Sequence, residues 1–400
     1  MKKGWQTKKL GDVCSIVSAL VDPRMTKYED MLHVGGANIE SSTGELLDLK
    51  TAKDEGLKSG KFAFDDSMVL YSKIRPYLMK VARPDFEGLC SADIYPLTPD
   101  PNVLDRGYLF HQLLSPEFTE FAISGSARAG MPKVNRDHLF TYQFPVPPLA
   151  EQQRIVGLLD EAFEGLATAK ANAEKNLQNA RALFESHLQA VFTQRGPGWV
   201  EKPLNELCDI KHGFAFKGEF FTNKGDYVVL TPGNYYESGG YRDRGEKQKY
   251  YAGEIPPEYI MKKGEMLVAM TEQAAGLLGS PLLVPESDKF LHNQRLGLVT
   301  AKPGVRWTNE FFFHVFNTQA VRQAIHDRAS GVKVRHTSPT KIGYVVVSFP
   351  TSIKEQKAIV AVLADLHEET QRLARLYERK LAALEALKKA LLHRAFAGEL

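Results

Sequence analysis

Two stretches of hydrophobic pattern dominate the chain. Residues 149–194 contain no proline and only two glycines, and apolar side chains recur at Ile155, Leu159, Ala162, Leu166, Ala169, Ala173, Ala180 and Phe184. Steps of three and four, with one of seven, define a heptad seam and predict one long amphipathic helix. Asn176 falls on that seam, where a buried polar residue fixes register at some cost in stability. Residues 352–397 repeat the pattern with Ile359, Leu366, Leu373, Tyr377, Leu381, Leu384 and Leu391. The ends are marked too. Pro148 suits a first helical turn, Gly196-Pro197 stops the first helix, and Ser352-x-x-Glu355 is a capping box for the second. Two helices of matching length and phase, each with a seam in need of a partner, predict an antiparallel coiled coil about 65 Å long at 1.5 Å per residue. Such a pair would act as a spacer.

The other parts have a different texture. Residues 1–148 and 197–350 are rich in Gly, Pro and aromatics, with short β-like runs such as Met68–Tyr71, Met266–Ala269 and Tyr344–Phe349. Short helices are expected at 106–122 and 308–328. These parts read as α+β with mixed sheets, giving four segments: 1–148, 149–196, 197–350 and 351–400.

The chain is written twice. Trp5-x-x-Lys8-x-Leu10-x-x-Val13-Cys14-x-Ile16 matches Trp199-x-x-Lys202-x-Leu204-x-x-Leu207-Cys208-x-Ile210. Asn38 and Gly44 match Asn234 and Gly240; His111 matches His314; Glu151-Gln152-x-x-Ile155-Val156 matches Glu355-Gln356-x-x-Ile359-Val360; Phe192 matches Phe396. The offset grows in order from 194 to 204, as loop insertions produce. The unit is about 200 residues, too long for a solenoid repeat.

Composition narrows the class. With 43% hydrophobic and 25% charged residues over 400 positions, the chain is an ordinary globular one of two to three domains. Lys plus Arg number 51 against 48 acids, a net charge of +3, so any nucleic-acid-binding surface must be local. Lys2 and Lys3 before an apolar run imitate a leader peptide, but the same segment recurs mid-chain and therefore belongs to the fold. No stretch approaches the ~20 apolar residues of a membrane span. Cys14, Cys90 and Cys208 form no metal or disulfide pattern and read as reduced thiols of a cytoplasmic protein.

Catalytic signatures are missing. There is no phosphate-binding loop: Ser59-Gly60-Lys61-Phe62 lacks the upstream spacing and the hydroxyl. No GxGxxG follows a strand, the Pro-Pro pairs at 147–148 and 256–257 lack the neighbours an amino-methyltransferase places around a flipped base, and no metal-ligand pair occurs among the eleven His. Glu355-x-Lys357 and Glu378-x-Lys380 look like fragments of a nuclease motif but lie on the helical seams. His111, His314, Cys14 and Cys208 read as core residues. We therefore assign no catalytic residue, no metal and no cofactor.

Charge is concentrated locally. Met68–Pro84 holds Lys73, Arg75, Lys80 and Arg83 without an acid; Phe121–Arg136 holds Arg128, Lys133 and Arg136 without one; Gln319–Lys341 holds Arg322, Arg328, Lys333, Arg335 and Lys341 against Asp327 alone, with His336 among them. The last two runs occupy equivalent places in the repeat. Small residues with Lys and Arg let backbone and cations approach phosphates, and such loops reach guanine edges in the major groove. Thr271-Glu272-Gln273 and His292-Asn293-Gln294-Arg295 add donors and acceptors suited to base edges, whereas their counterparts near Ser72-Lys73 and Ser91-Ala92-Asp93 differ in chemistry. The expected DNA contacts are Lys73, Arg75, Lys80, Arg128, Lys133, Arg136, Gln273, Asn293, Gln294, Arg295, Lys333, Arg335, His336 and Lys341. A shared scaffold with diverged polar loops suits two readers of different sequences.

On these residues the chain resembles the specificity (S) subunit of type I restriction–modification systems over essentially its whole length. Ser72-Lys-Ile-Arg-Pro-Tyr-Leu78 looks like the signature of a target-recognition domain, and Pro147-Pro-Leu-x-Glu151-Gln152-x-x-Ile155-x-x-Leu158 like the opening of the helical region. The second copy departs from both, with Met270-Thr-Glu-Gln273 and Thr351-Ser-Ile-Lys in their places. The resemblance implies two homologous α/β target-recognition domains separated by two long helices in an antiparallel coiled coil, with a pseudo-two-fold internal repeat. It implies a non-catalytic subunit in which each domain reads one half of an asymmetric bipartite site in double-stranded DNA and the helices set the spacing. Two modification (methyltransferase) subunits dock on the helical regions, and restriction (motor-nuclease) subunits complete the complex, with no membrane involved. Residues expected to meet those partners are Pro147, Pro148, Glu151, Gln152 and Ile155, with Glu355, Gln356 and Ile359 in the second copy. The alternatives are the recognition subunit of a related methylation or phage-defence system, an enzyme with an unrecognised active site, and a structural coiled-coil adaptor.

Overall fold

The computed structural model describes residues 4–126, 130–272 and 276–400. Both long helices form where the heptad spacing places them: α1 spans Leu149–Gln194 and α2 spans Ile353–Ala397. The backbone N–H groups of Glu151 and Gln152 both reach Pro148 O, so the proline carbonyl opens α1. At the start of α2 the capping box is half used. Ser352 Oγ accepts from the Glu355 N–H at 3.4 Å, but the Glu355 carboxylate accepts from Trp199 Nε1 at 3.0 Å instead. The seam needs one correction. Asn176 is exposed, and the inward positions run Ala173, Leu177, Ala180, Phe184, so no buried amide sets the register there.

The chain divides into two compact units, Met1–Lys175 with Tyr377–Leu400, and Asn176–Leu376. The division cuts both long helices, so each unit contains half of each. In the first unit a strand Gln6–Lys9 pairs antiparallel with Gln143–Val146. A four-stranded sheet follows in the order Cys14–Ser15, Ile94–Pro99, Val69–Ser72, Val81–Ala82. A five-stranded sheet contains one parallel pairing, Leu32–Val34 with Gly88–Cys90. The second unit repeats the plan. Trp199–Pro203 pairs with Val346–Pro350, and Cys208–His212, Leu296–Ala301, Met266–Ala269 and Pro281–Leu283 form the four-stranded sheet. Another four-stranded sheet has one parallel pairing, Val228–Leu230 with Phe290–His292. The expected helical stretches each break in two, Arg106–Leu113 with Pro116–Ser124 and Asn309–Asn317 with Gln319–Asp327. The break arises because the Ser115 and Thr318 hydroxyls cap the second helix of each pair.

Each core is closed by both long helices running antiparallel. In the first unit Ile155 and Leu159 of α1 meet Leu392, Ala395 and Phe396 of α2 around Leu10, Tyr108 and Phe144, with Phe396 edge-on to Tyr108 at 5.2 Å. In the second, Leu363 of α2 meets Leu188 and Phe192 of α1 around Leu204, Phe311 and Phe349. Phe192 packs on Trp199 and Phe311 at ring distances of 5.8 and 5.5 Å. Repeat-equivalent residues thus do equivalent jobs, but the C-terminal half of each helix serves the other copy's core.

Gln152 and Gln356 are the polar counterpart of this packing. Both are fully buried. The Gln152 side-chain oxygen accepts from the Asp105 N–H (2.7 Å), and its amide donates to Val103 O (2.8 Å) and Pro147 O (2.7 Å). Gln356 accepts from the Thr308 N–H (3.1 Å) and donates to Arg306 O (3.0 Å) and Pro350 O (2.9 Å). Each clamp ties a long helix to the N-cap of a short helix and to the end of the closing strand. This corrects the expectation that the two glutamines face a partner. Ile155 and Pro147 are buried as well, whereas Pro148 is exposed. Ile359 packs half-buried against its core, Glu151 pairs with Arg154 at 2.7 Å, and Glu355 holds Trp199.

Candidate nucleic-acid interface

In each unit three segments meet at one end of the four-stranded sheet. In the first, the Lys73 N–H donates to Asp93 O (3.1 Å), the Val134 N–H donates to Lys73 O (2.8 Å), and Ile74 bridges to Lys133. The second shows the same ladder. The Met270 N–H donates to Arg295 O (3.0 Å), the Thr337 N–H donates to Met270 O (2.9 Å), and Thr271 pairs with His336. The turns before residues 94 and 296, the segments after 72 and 269, and the loops before 135 and 338 are therefore equivalent. The two runs of basic loop identified in sequence lie in these rims, beside the polar sets.

On that alignment Arg75 corresponds to Glu272, and the two behave oppositely. Arg75 is exposed and left-handed (φ +50°), its N–H held by Pro132 O at 2.9 Å and its carbonyl by the Leu78 N–H at 2.9 Å. A non-glycine residue in that region is strained, and the surrounding bonds hold it there. Glu272 is turned inward, where one carboxylate oxygen accepts from the N–H groups of Gly276, Leu277 and Leu278 at 2.9–3.1 Å. Glu272 thus braces the backbone at 276–278 instead of standing outward at the rim. A cavity of about 530 Å³ beside it is lined by Glu185 and Glu237 as well as Arg322, a balance that disfavours phosphate.

The other expected DNA contacts divide by how far the fold has used them. Lys73 is largely covered, with Nζ 2.5 Å from Ala92 O and 3.7 Å from Asp93. Burial, with the neighbouring Lys133 ammonium, holds its pKa below the ordinary lysine value. Lys133 shares Asp93 at 3.7 Å, so one carboxylate serves two cations. Lys80 donates to Gly36 O at 2.5 Å and Lys341 to Ser330 Oγ at 2.5 Å. Arg335 is set against His326, 3.0 Å from Nδ1. Asn293 is buried, its side-chain oxygen accepting from the Arg295 N–H at 3.1 Å, and so shapes the turn that presents Gln294 and Arg295. Arg136, Gln294, Arg295, Lys333 and His336 are exposed. Arg128 and Gln273 lie outside the described residues.

Of the groups set aside in sequence as core residues, Cys14, Cys208 and His111 are buried and His314 is half-buried. Cys14, Cys90 and Cys208 are free and buried, their thiols pushed up to about 12 by desolvation. His111 is buried with Nε2 2.7 Å from Asp160, which also takes Arg83 at 3.1 Å. His314 is held down to about 4 by burial and the nearby His367. Among the described residues no helix is long and apolar enough to cross a membrane. Sequence reading missed one residue of the second rim, Val332, which stands at the loop tip almost wholly in solvent. Its signal was an apolar residue straight after a glycine in a cationic loop.

Comparison with known proteins places this geometry in context. Residues 2–177 and 197–379 match the type I restriction modification DNA specificity domain. The chain is 34% identical over 190 residues to the specificity subunit of the type I restriction enzyme EcoDI of Escherichia coli, covering 48% of this chain and 41% of that one. It is 24% identical over 236 residues to the EcoBI specificity subunit of the same species, covering 58% and 44%. The matched segments therefore span less than half the length of these relatives. A chain from a structure of type I R-M complex assembly and conformational transition superposes with a TM-score of 0.80 at 20% identity, covering 100% of this chain and 99% of that one. The HsdS subunit of Thermoanaerobacter tengcongensis superposes at 0.67 and 20% identity, covering 100% and 98%. These two share the fold.

Proposed function

Because the chain belongs to the type I restriction modification DNA specificity domain family, we propose that it is the sequence-reading subunit of such a system. Each rim reads one half of a bipartite site in double-stranded DNA. The paired helices set the unread gap and carry two modification subunits. Restriction subunits join the full complex, the chain itself supplies no catalytic group, and the assembly works in the cytoplasm.

One observation carries this reading. The clamp, the core and the backbone ladder of the rim are repeated in both units, while the side chains beside the ladder differ: Arg75 stands outward in one copy, and at the same backbone position Glu272 turns inward in the other, where Gln294 and Arg295 stand outward instead. A duplicated scaffold with opposite chemistry at one backbone position suits two readers of unlike sequences. Exposed Arg75, Arg136, Arg295 and Lys333 supply phosphate contacts, which fix orientation, and base-edge contacts, which specify.

The test is methylome sequencing of the host with and without the chain, followed by replacement of residues 197–350 with those of a relative. Loss of one bipartite methylated motif on deletion, and a change in one half of it on replacement, is the expected result. Methylation unchanged by deletion, or both half-sites unchanged by the replacement, would refute it.

A further inference from the structure

We propose that the loop 330–336 is a base-reading finger whose tip, Val332, packs against the C5-methyl of a thymine in the major groove; this rests on the DNA-reading function above. Val332 is 99% exposed. A single surface valine is unremarkable on most proteins, but this one is held out by a built loop. The Ser330 N–H donates to His336 O at 2.9 Å and the His336 N–H donates to Ser330 O at 2.8 Å, closing the loop at its base. Gly331 has φ +97°, and a Cβ there would sit 2.1 Å from Val334 O, so only glycine allows the turn that lifts Val332. Lys341 ties down Ser330 at 2.5 Å and Arg335 rests on His326. A β-branched side chain on such a base has few rotamers to lose on contact.

The surroundings choose the occupant. Val332 is followed by exposed Lys333, with exposed Arg328 and His336 at the loop ends. An apolar tip in a cationic ring fits a lone methyl group lying among phosphates, which is what thymine presents in the major groove. The first unit's rim loop has a similar glycine–apolar pair, two residues nearer the ladder than Gly331-Val332. Gly130 (φ +104°) precedes Met131, 47% exposed, and Lys133 follows.

The test uses the full chain assembled with its modification subunits, on the site found by methylome sequencing. Each thymine of the half-site assigned to residues 197–350 is replaced in turn by deoxyuridine, which lacks only the methyl. Wild type should bind about fourfold more weakly at one position, the factor expected for one buried methyl group, and V332S should be indifferent to that same replacement. Because Val332 is exposed, V332S should unfold at the wild-type temperature, which separates contact from folding. A half-site without thymine, a V332S complex with wild-type affinity and deoxyuridine response throughout, or a loss in V332S equal on all sequences, would each overturn the assignment. A wild-type complex with no sequence preference would instead remove the DNA-reading function, and that control is read before any variant.

Discussion

Replacing Gln152 by alanine should cost the first unit far more than a surface glutamine ever could. Three hydrogen bonds disappear, each worth about 1 kcal/mol net. The Val103 and Pro147 carbonyls lose the partner that the side-chain amide supplies, and a small cavity remains. The sum is about 3–4 kcal/mol. For a unit of this size each kcal/mol moves Tm by about 2–4 °C, so the expected drop is about 6–16 °C. Gln152→Glu should do no better, because a carboxylate retains the bond from the Asp105 N–H but turns an oxygen toward two carbonyls. The same substitution at Gln356 should weaken the second unit by a similar amount, its bonds running 2.9–3.1 Å. Thermal unfolding followed by hydrogen exchange distinguishes the two: the Asp105 amide should lose protection in Q152A and the Thr308 amide in Q356A. A Q152A chain within 1 kcal/mol of wild type, with its Asp105 amide still protected, would show that the clamp is incidental to the fold.

Other outcomes follow from the same geometry. Arg75→Ala and Lys333→Ala should each reduce the salt dependence of DNA binding by about one unit of slope, whereas Lys80→Ala, whose ammonium already serves Gly36 O, should change stability instead; binding titrations from low to high salt decide between them. Burial holds His292 and His314 neutral, both pushed down to about 4. Their contribution is fully present above the unfolded pKa of about 6.5 and is lost as pH falls toward 4, up to about 3 kcal/mol each; Tm against pH should flatten in a His292→Gln, His314→Gln variant. Leu158 and Val362 are repeat equivalents left exposed on the long helices, so Leu158→Asp and Val362→Asp should each release one modification subunit in native mass spectrometry while leaving unfolding unchanged, and retention of both subunits in the double variant would move the docking site elsewhere.

Both long helices can be read from the chain almost to the residue, because an apolar seam persists over many turns and no proline interrupts it. The duplication is equally legible, since the residues that repeat are those the cores use: Leu10 and Leu204, Cys14 and Cys208, Phe192 and Phe396. What escaped the sequence were partnerships made across long stretches of chain. Gln152 looks like a surface residue of an opening helix because the carbonyls that claim it come from Val103 and Pro147. Lys73 and Lys80 sit in an acid-free run, yet Ala92, Asp93 and Gly36 engage them. Asn176 followed the heptad count, but the inward face had drifted to Leu177. Charge counting finds the loops of a rim; it does not find which cations the fold has already taken.

The exchange of helix halves has a consequence for biosynthesis. Every residue of the second core, from Phe184 to Leu363, comes from one continuous run of chain. The first core instead needs Leu392, Ala395 and Phe396, made after the whole of the second core. At about 5–20 residues per second, a ribosome delivers Phe396 roughly 15–60 s after Tyr108. Through that interval the apolar faces of Tyr108 and Ile155 lack their last covering, and a nascent chain so exposed is a natural client for chaperones. The half of the molecule that is translated first is thus the half that finishes folding last.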